Sequence, residues 1–523
     1  MATFEWIIVL LLGAALLAAL ARRLGAPYPT FLALGGALLA FVPDSPNWTL
    51  DPHLALTLFV APVLVDAAYD TSLRDLRTHW RPIAGLVIAA VGTTVIAVAL
   101  VARWLVPGMS WPVAIALGAI VAPPDAAAAT AVMRQVKLPH KLLKIIEGES
   151  LLNDASALLV YRLAIMAVMA GHLGFASFAP VFLLTVFGSL AAGVGCAYAL
   201  RLLMTGVREV PVLLIMQFAL TFGVWIAAEA IGLSGILTLV AYAMTVARSG
   251  GAQLPARQRV PVFAVWEAVV FVLNAFAFVL IGMQLRPIWQ RLEAGGARTD
   301  AVLTALVVLG TTVAARFVWV LSYKALTLRR EGGQGRGAFG SGIVLSWAGM
   351  RGIVTLAAAF AIPETLPDGT PFPHRDLILL CAFAVVLGTL VLQGLTLRPL
   401  LRWLDLRDDR PVEREIGLAH QRLLRGALAV IDGRSSKAAK ALRLEMEALW
   451  TPDGSPAAGG SGLDPVEYRK LHQKITRGAR QELVRLRERG EIGDDAFHAV
   501  ELKIDRAEIY IDTPRSGEAA RAG

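Results

Sequence analysis

The sequence predicts an all-α polytopic membrane protein, and three observations carry that expectation. The chain has 523 residues, of which 56% are apolar and only 17% charged, whereas a soluble domain has about a quarter of its residues charged. The apolar excess falls in windows of about 20 residues with few charges, the length an α-helix needs to cross a bilayer. Basic residues gather in the short stretches between those windows and in the last part of the chain. The net charge of +9 therefore reads as a topology signal, not as a nucleic-acid surface.

About thirteen transmembrane helices are expected, at roughly 4–21, 28–43, 53–70, 82–105, 111–133, 143–170, 177–202, 209–230, 232–248, 260–285, 300–326, 339–362 and 376–400. Met1 to Leu20 is apolar with Glu5 and no basic residue, and Arg22 and Arg23 follow it. A secretory signal carries its positive charge first, so the first window reads as a retained helix with its N-terminus outside. With that orientation the inward loops hold Arg22, Arg23, Arg74, Arg77, Arg81, Arg134, Lys137, Lys141 and Lys144. They continue with Arg201, Arg208, Arg248, Arg257, Arg259, Lys324, Arg329, Arg330 and Arg336. The outward loops hold only Arg103, Arg286, Arg291, Arg298 and Arg375. That bias follows the positive-inside rule. An even number of spans would put the basic tail outside, so thirteen is preferred.

Several function classes drop out on composition. Cys196 and Cys381 are the only cysteines and both sit in apolar windows, so neither a disulfide framework nor a zinc site is expected. The eight histidines are scattered. No G-x-x-x-x-G-K-[ST] phosphate loop occurs, which argues against an ATP-driven pump. Gly335 to Gly340 fits G-x-G-x-x-G, but no strand precedes it and a membrane helix follows, so it is read as chance. No cofactor is expected.

Two windows are interrupted. The fifth contains Ala122-Pro123-Pro124-Asp125-Ala126, where two prolines remove two helix donors. The twelfth contains Gly349-Met350-Arg351-Gly352-Ile353, with glycines flanking an arginine. Irregular backbone at membrane depth is tolerated only where protein or a water-filled cavity surrounds it. Paired interrupted helices in two halves point to inverted six-helix repeats and a transport site near the midplane; plain proline kinks and close glycine packing are the alternative. Beyond Arg402 the composition turns polar. Residues 409–523 read as a small helical cytosolic tail, with helical stretches near 412–432, 436–450, 465–490 and 494–508 and a Gly/Ser/Pro linker from Thr451 to Gly462.

The densest chemistry is the run Glu147-Gly148-Glu149-Ser150-Leu151-Leu152-Asn153-Asp154, at the start of the apolar stretch Ala155 to Ala170. Ionisable groups at membrane depth cost about 2.5–3.5 kcal/mol each on insertion scales and usually mark an ion or proton pathway. On a helix, Ser150 and Asp154 share one face, with Glu149 and Asn153 beside them. A hydroxyl, an amide and a carboxylate presented together suit a small hard cation, or a proton.

The segment Ala122 to Arg162, with Gly349 to Ala357 and Leu392-Gln393-Gly394-Leu395-Thr396-Leu397, resembles the sodium/proton exchanger family of cation:proton antiporter-1 type. Ala61 to Asp66, Gly232 to Leu237 and Trp266-Glu267 also match, so the resemblance spans nearly all of residues 1–402. It implies that Asn153 and Asp154 carry the ion, Asp154 exchanging a proton for Na+ at a single competitive site. A poorly solvated aspartate can make that exchange near neutral pH; a salt-bridged structural acid is the alternative. Asn153 in place of a second Asp resembles the electroneutral branch. Ser150 resembles the family's side-chain co-ligand, so Na+ is expected at Asp154 and Ser150. Asp66 stands where the family often carries a Glu that approaches the ion through water; it is one methylene shorter, and a solvated funnel acid is its other reading.

The fifth window departs from the family's Ser/Thr-Asp-Pro, reading Pro124-Asp125-Ala126. Ligation there would fall to the Pro124 carbonyl, with Asp125 facing the helix-end dipoles where the two broken helices cross. Glu149 and Arg351 are expected to pair across the breaks as structural supports, since an unpaired buried charge is costly. Glu147 would face the funnel, and Arg162 would snorkel or pair locally. Glu267 with Asn274 could line the cation entry, but a helix-end position facing water is the more frequent case for such an acid. Glu229 and Arg316 are further in-membrane charges without an assigned role.

The expected domains are a transporter, 1–408, and the tail, 409–523. Within the first, scaffold spans 1–80 and 175–290 face an ion-binding core of 81–172 and 298–402. The resemblance further implies a homodimer through the scaffold, elevator-like alternation and a place in the plasma (inner) membrane. Electroneutral Na+(Li+)/H+ exchange is the expected activity, with monovalent cations, protons and membrane lipid as partners. K+/H+ exchange by the same machine is the nearest rival, since selectivity rests on cavity detail. A cation channel or ion sensor is the rival of another class, and a membrane hydrolase using Glu149 and Asp154 lacks any nucleophile or metal motif.

Overall fold

Apolar windows become helices throughout the computed structural model, which describes residues 2–43, 52–125, 129, 139–170, 175–204, 206–207, 209–250, 255–292, 296–331, 336–405, 410–449 and 465–512. The far half of the fifth expected span, Arg134, Lys137, Arg208 and the Gly/Ser/Pro linker lie outside the described residues. Among those described, the sole β-type pairing is an isolated bridge between Thr365 and Pro371.

Among the described residues, eight helices are long and apolar enough to cross a membrane. They are α1 (Ala2–Leu24), α5 (Trp80–Leu105), α7 (His140–Ala170), α8 (Phe175–Met204), α9 (Val210–Ala230), α11 (Ala256–Met283), α12 (Gly296–Glu331) and α15 (Arg375–Leu404). Four shorter apolar helices lie between them: α2 (Tyr28–Leu39), α3 (Leu56–Tyr69), α6 (Trp111–Val121) and α10 (Gly235–Gly250). A short helix, α4 (Leu73–Thr78), follows α3, its first turn capped by the Ser72 hydroxyl accepting from the Asp75 amide at 3.2 Å. The protein is therefore an all-helical, multi-pass membrane protein.

The twelfth expected span is observed as two helices, α13 (Arg336–Trp347) and α14 (Ile353–Phe360), separated by irregular chain at Ala348 to Gly352. The chain likewise leaves α6 at Val121 and runs without helix through Pro123 to Asp125. Both interruptions fall where proline and glycine placed them. Two further irregularities were not legible: π-helical turns at Leu56–Val60 and Gly85–Ala90. A π turn diverts carbonyls from the regular ladder, and the Val87 carbonyl in the second accepts from Ser156 Oγ of α7 at 3.1 Å.

Helix packing builds the site from two groups. In one, α6 lies against α5 and α7, while α12 lies against α5, α13 and α15. In the other, α11 packs along α2, and α10 packs against α3 and α8. Small residues Ala33, Gly36 and Gly282 bring the backbones of α2 and α11 close enough that a side-chain carbon at either glycine would strike the opposite chain. Trp80, Trp104 and Trp111 stay exposed near helix ends, where indole rings anchor at a bilayer interface.

The tail folds on a core of its own. Helices α16 (Pro411–Ile431), α17 (Lys437–Leu449), α18 (Pro465–Glu488) and α19 (Asp494–Asp512) bury Leu423, Leu442, Leu483, Phe497 and Val500 among themselves. Acidic residues of α19 then dock on the membrane helices. Asp495 meets Lys144 and His140 of α7, each at 2.9 Å, and Glu501 meets Arg259 of α11 at 2.9 Å. Asp505 accepts from Arg259 Nε and from Arg480 of α18, both at 2.8 Å.

Partial burial opposes ionisation of Asp495, but the His140 hydrogen bond and the Lys144 ammonium outweigh it and hold the carboxyl down at about 2. A depressed carboxyl contributes stability above its ordinary value of 3.8 and loses it as pH falls through about 2. This carboxyl therefore stays charged across the neutral range, and salt, not mild acid, loosens its contacts. Asp495→Asn at pH 7 is expected to speed limited proteolysis of α19 roughly three- to tenfold, the effect of losing about 1 kcal/mol from a partly exposed ion pair. An unchanged cleavage rate counts against the docking contact.

Candidate functional site

The sixth expected span is a single helix, α7, 31 residues long and so about 46 Å from end to end. It carries Glu147, Glu149, Ser150, Asn153 and Asp154 within two turns. Glu149, Asn153 and Asp154 are buried, Asp154 at 7% exposure. The break after α6 lies against this stretch. The Pro124 carbonyl faces the Asn153 amide nitrogen at 3.4 Å and the Ser150 hydroxyl at 3.5 Å, both at the long end of hydrogen bonding. The other amide atom, Asn153 Oδ1, is buried and has no hydrogen-bond partner. Among the described residues Asp154 likewise has neither a hydrogen bond nor an ion pair.

The two breaks touch through their backbones. The Asp125 amide donates to the Met350 carbonyl at 2.6 Å, and the Arg351 amide donates to Thr389 Oγ1 of α15 at 3.0 Å. The Asp125 carboxylate lies against Gly352, the residue before α14, and a side-chain carbon on Gly352 would collide with it. A carboxylate is favoured at that helix start by the helix dipole. Glycine stands at 352 because nothing larger fits beside Asp125.

Glu149 is not paired with Arg351, contrary to the sequence-based expectation. Its carboxylate is gripped at both oxygens by Arg316 of α12, Nη1 on Oε1 and Nη2 on Oε2 at 2.7 Å. Arg316 also donates from Nε and Nη2 to the Leu345 carbonyl at 3.2 and 3.1 Å, tying the last turn of α13 to α7. Gly349 leaves room for this guanidinium, which a side-chain carbon at 349 would strike. Arg351, fully buried, donates instead to the carbonyls of Val121 at 3.1 Å, Ala122 at 3.3 Å and Gly349. Those carbonyls end two broken helices, and their partial negative charge takes the place of a carboxylate. The missed signal was Arg316 itself: a buried arginine in an apolar span needs an acid partner, and Glu149 was the acid at hand.

A cavity of about 290 Å3 opens beside Asp154. Its lining brings Asp66 of α3, Asp125, Glu147, Ser150, Asp154, and Glu267 with Asn274 of α11 to one space. Every expected site residue except the buried Asn153, the Pro124 carbonyl and the structural charges therefore borders it. Glu147 also pairs with Lys144 at 2.9 Å. Arg162 pairs locally, with Glu229 of α9 at 2.8 Å. Oxygen donors of hydroxyl, amide, backbone carbonyl and carboxylate type thus meet at the break, a set that suits alkali cations.

A family model described as "Sodium/hydrogen exchanger, transmembrane" matches residues 8–403, the whole membrane portion. The chain belongs to the sodium/hydrogen exchanger family. Its members are cation/proton antiporters, transporters and not enzymes. Among its relatives, an uncharacterised Na+/H+ exchanger of Mycobacterium tuberculosis is 30% identical over 94% of this chain and 93% of its own. A "sodium, potassium, lithium and rubidium/H(+) antiporter" of Bacillus subtilis is 28% identical over 93% of this chain and 75% of its own. A "low-affinity Na(+)/H(+) antiporter" of Synechocystis is 28% identical over 78% and 75%. The solved sodium proton antiporter MjNhaP1 of Methanocaldococcus jannaschii shares the fold, with a TM-score of 0.59 over 77% of this chain and 99% of that one at 16% identity.

The Glu149–Arg316 pair gives the exchanger a testable dependence. Arg316→Ala leaves a buried carboxylate without its cation and is expected to cost about 3–5 kcal/mol of stability, lowering the thermal midpoint and the folded yield. Adding Glu149→Leu to Arg316→Met removes both charges and should recover most of the loss that Arg316→Met shows alone, in a double-mutant cycle. If Arg351→Ala, not Arg316→Ala, is rescued by neutralising Glu149, the assigned pairing is wrong.

Proposed function

We propose that this protein is an electroneutral Na+(Li+)/H+ antiporter that exchanges one cation for one proton at Asp154 by alternating access. The carrying observation is the Asp154 carboxyl, buried at the edge of a cavity with no cationic side chain paired to it among the described residues, next to the unpaired Asn153 Oδ1 and the Pro124 carbonyl. A bare carboxylate in such a place is expensive, so the group is stable when it carries either a proton or a cation. Ser150 Oγ, Asn153 Oδ1 and the Pro124 carbonyl would supply oxygen ligands that replace water around Na+, and Asp66 would reach the ion through the cavity. Protonated and cation-loaded Asp154 are both neutral at the carboxyl, and either form can move; the bare anion cannot. Competition of two ions for one acid couples their fluxes without a second binding event.

The same reading covers the assembly. Eight long helices, four shorter ones and the broken α13–α14 pair would make thirteen crossings, arranged as inverted six-helix repeats, with the N-terminus outside and the tail in the cytosol. Scaffold helices would form a homodimer in the plasma membrane. Potassium is the second reading for the cargo, favoured by the B. subtilis relative, whose name includes potassium and rubidium.

Proteoliposome flux tests these points. An outward Na+ gradient should drive H+ inward, with no response to an imposed voltage, while a channel would dissipate each gradient separately. Asp154→Asn should abolish exchange, a loss of at least about a hundredfold, with the thermal midpoint unchanged or raised, because a costly buried acid is removed. Sodium-driven proton movement surviving in Asp154→Asn ends the assignment. Comparing Na+, Li+ and K+ in the same assay separates the two cargo readings.

A further inference from the structure

A second cavity, of about 560 Å3, lies away from the ion site, between the turn that joins α1 to α2 and the end of α15. Its walls carry two arginines, Arg398 and Arg402, with Leu24, Phe31, Leu395 and Pro399, and no carboxylate is among the described residues that line it. Arg398 reaches across to donate from Nη1 to the Gly25 carbonyl at 2.8 Å. Gly25 sits at φ +64, and a side-chain carbon there would run into the Arg398 guanidinium, so the turn is shaped around that arginine. Its Nε is buried and has no acceptor. A buried donor on a charged group without an acceptor is costly, and the same side chain lines the adjoining space.

We propose that this cavity binds a phosphate anion, supplied by the headgroup of an acidic membrane lipid. The walls match an amphiphile. Both helices pass here from apolar sequence to basic, α1 at Arg22-Arg23-Leu24 and α15 at Arg398 and Arg402, which places the cavity at the depth of lipid headgroups. Leu24 and Leu395 are 60% and 42% exposed at its rim, giving acyl chains an apolar surface directly beside the two guanidiniums. Arg402 and Arg23 are exposed, while the Arg22 guanidinium is turned onto the Phe271 ring, 5.5 Å from its centroid. Arg398 and Arg402 are thus the groups facing the void, one held by the Gly25 carbonyl and the other free to close on a ligand. Basic pockets between membrane helices take anionic headgroups in this way, and arginine offers the forked geometry that phosphate oxygens accept. The volume exceeds that of the ion cavity and accommodates a phosphodiester with part of its glycerol.

The test uses the full chain, purified and delipidated in an uncharged detergent, and reads thermal stability, so it does not depend on the transport assignment. Phosphatidylglycerol should raise the unfolding midpoint by several degrees through ligand linkage, phosphatidylcholine should not, and native mass spectrometry should show phosphatidylglycerol retained. Arg402→Glu, at an exposed position that does not threaten folding, should lose at least half of that shift and the retained lipid. Arg291→Glu, an exposed arginine elsewhere, should keep both. A shift of equal size in Arg402→Glu, or with phosphatidylcholine, overturns the site. A full shift from millimolar inorganic phosphate alone overturns the lipid as the source of the anion.

Discussion

Interrupting two helices inside a bilayer strands amides and carbonyls where no water can reach them, and the way this chain satisfies those groups governs the rest of its core. Most of the answer is local to the crossing. The Asp125 amide spends itself on the Met350 carbonyl, the Asp125 carboxylate sits at the start of α14, and Arg351 gathers the carbonyls that end α6 and α13. With positive charge at the carbonyl ends and negative charge at an amide end, the crossing neutralises itself. Among the described residues, Asp154 is left as the acid beside it without a hydrogen bond or ion pair.

Arg316 and Glu149 hold a different joint. They link α12, α13 and α7, the helix that bears the candidate ion-site residues. Because both charges are buried, removing either leaves the other stranded, so the pair ties α7 to α12 at one defined register. The ion-site side chains inherit that precision, as a site built on packed helices does.

Much of this is legible in the amino-acid sequence. Pro123, Pro124 and the glycines around Arg351 announce both breaks, because proline and glycine act on the backbone alone and need no tertiary context. The Glu147–Asp154 run marks the candidate site for a similar reason: ionisable groups in apolar sequence are conspicuous. The partners are harder. Whether Glu149 meets Arg316 or Arg351 depends on which helix passes at that depth, and spacing along the chain carries no such information. The π turns at Leu56–Val60 and Gly85–Ala90 leave no mark, since a single diverted carbonyl has no compositional signature. The tail's ion pairs with α7 and α11 are hidden likewise, as they join residues hundreds of positions apart.

One of those contacts reaches further than its chemistry. Lys144 belongs to α7 and Arg259 to α11, helices that contribute Asp154 and Asn274 to the lining of one cavity, and α19 grips both with residues ten positions or fewer apart. A rigid rod pinned at two points is a calliper. Any rearrangement that widens or narrows the gap between those two helices must tear one grip or drag the tail bundle along, so the spacing of α7 and α11 is tied to the position of that bundle.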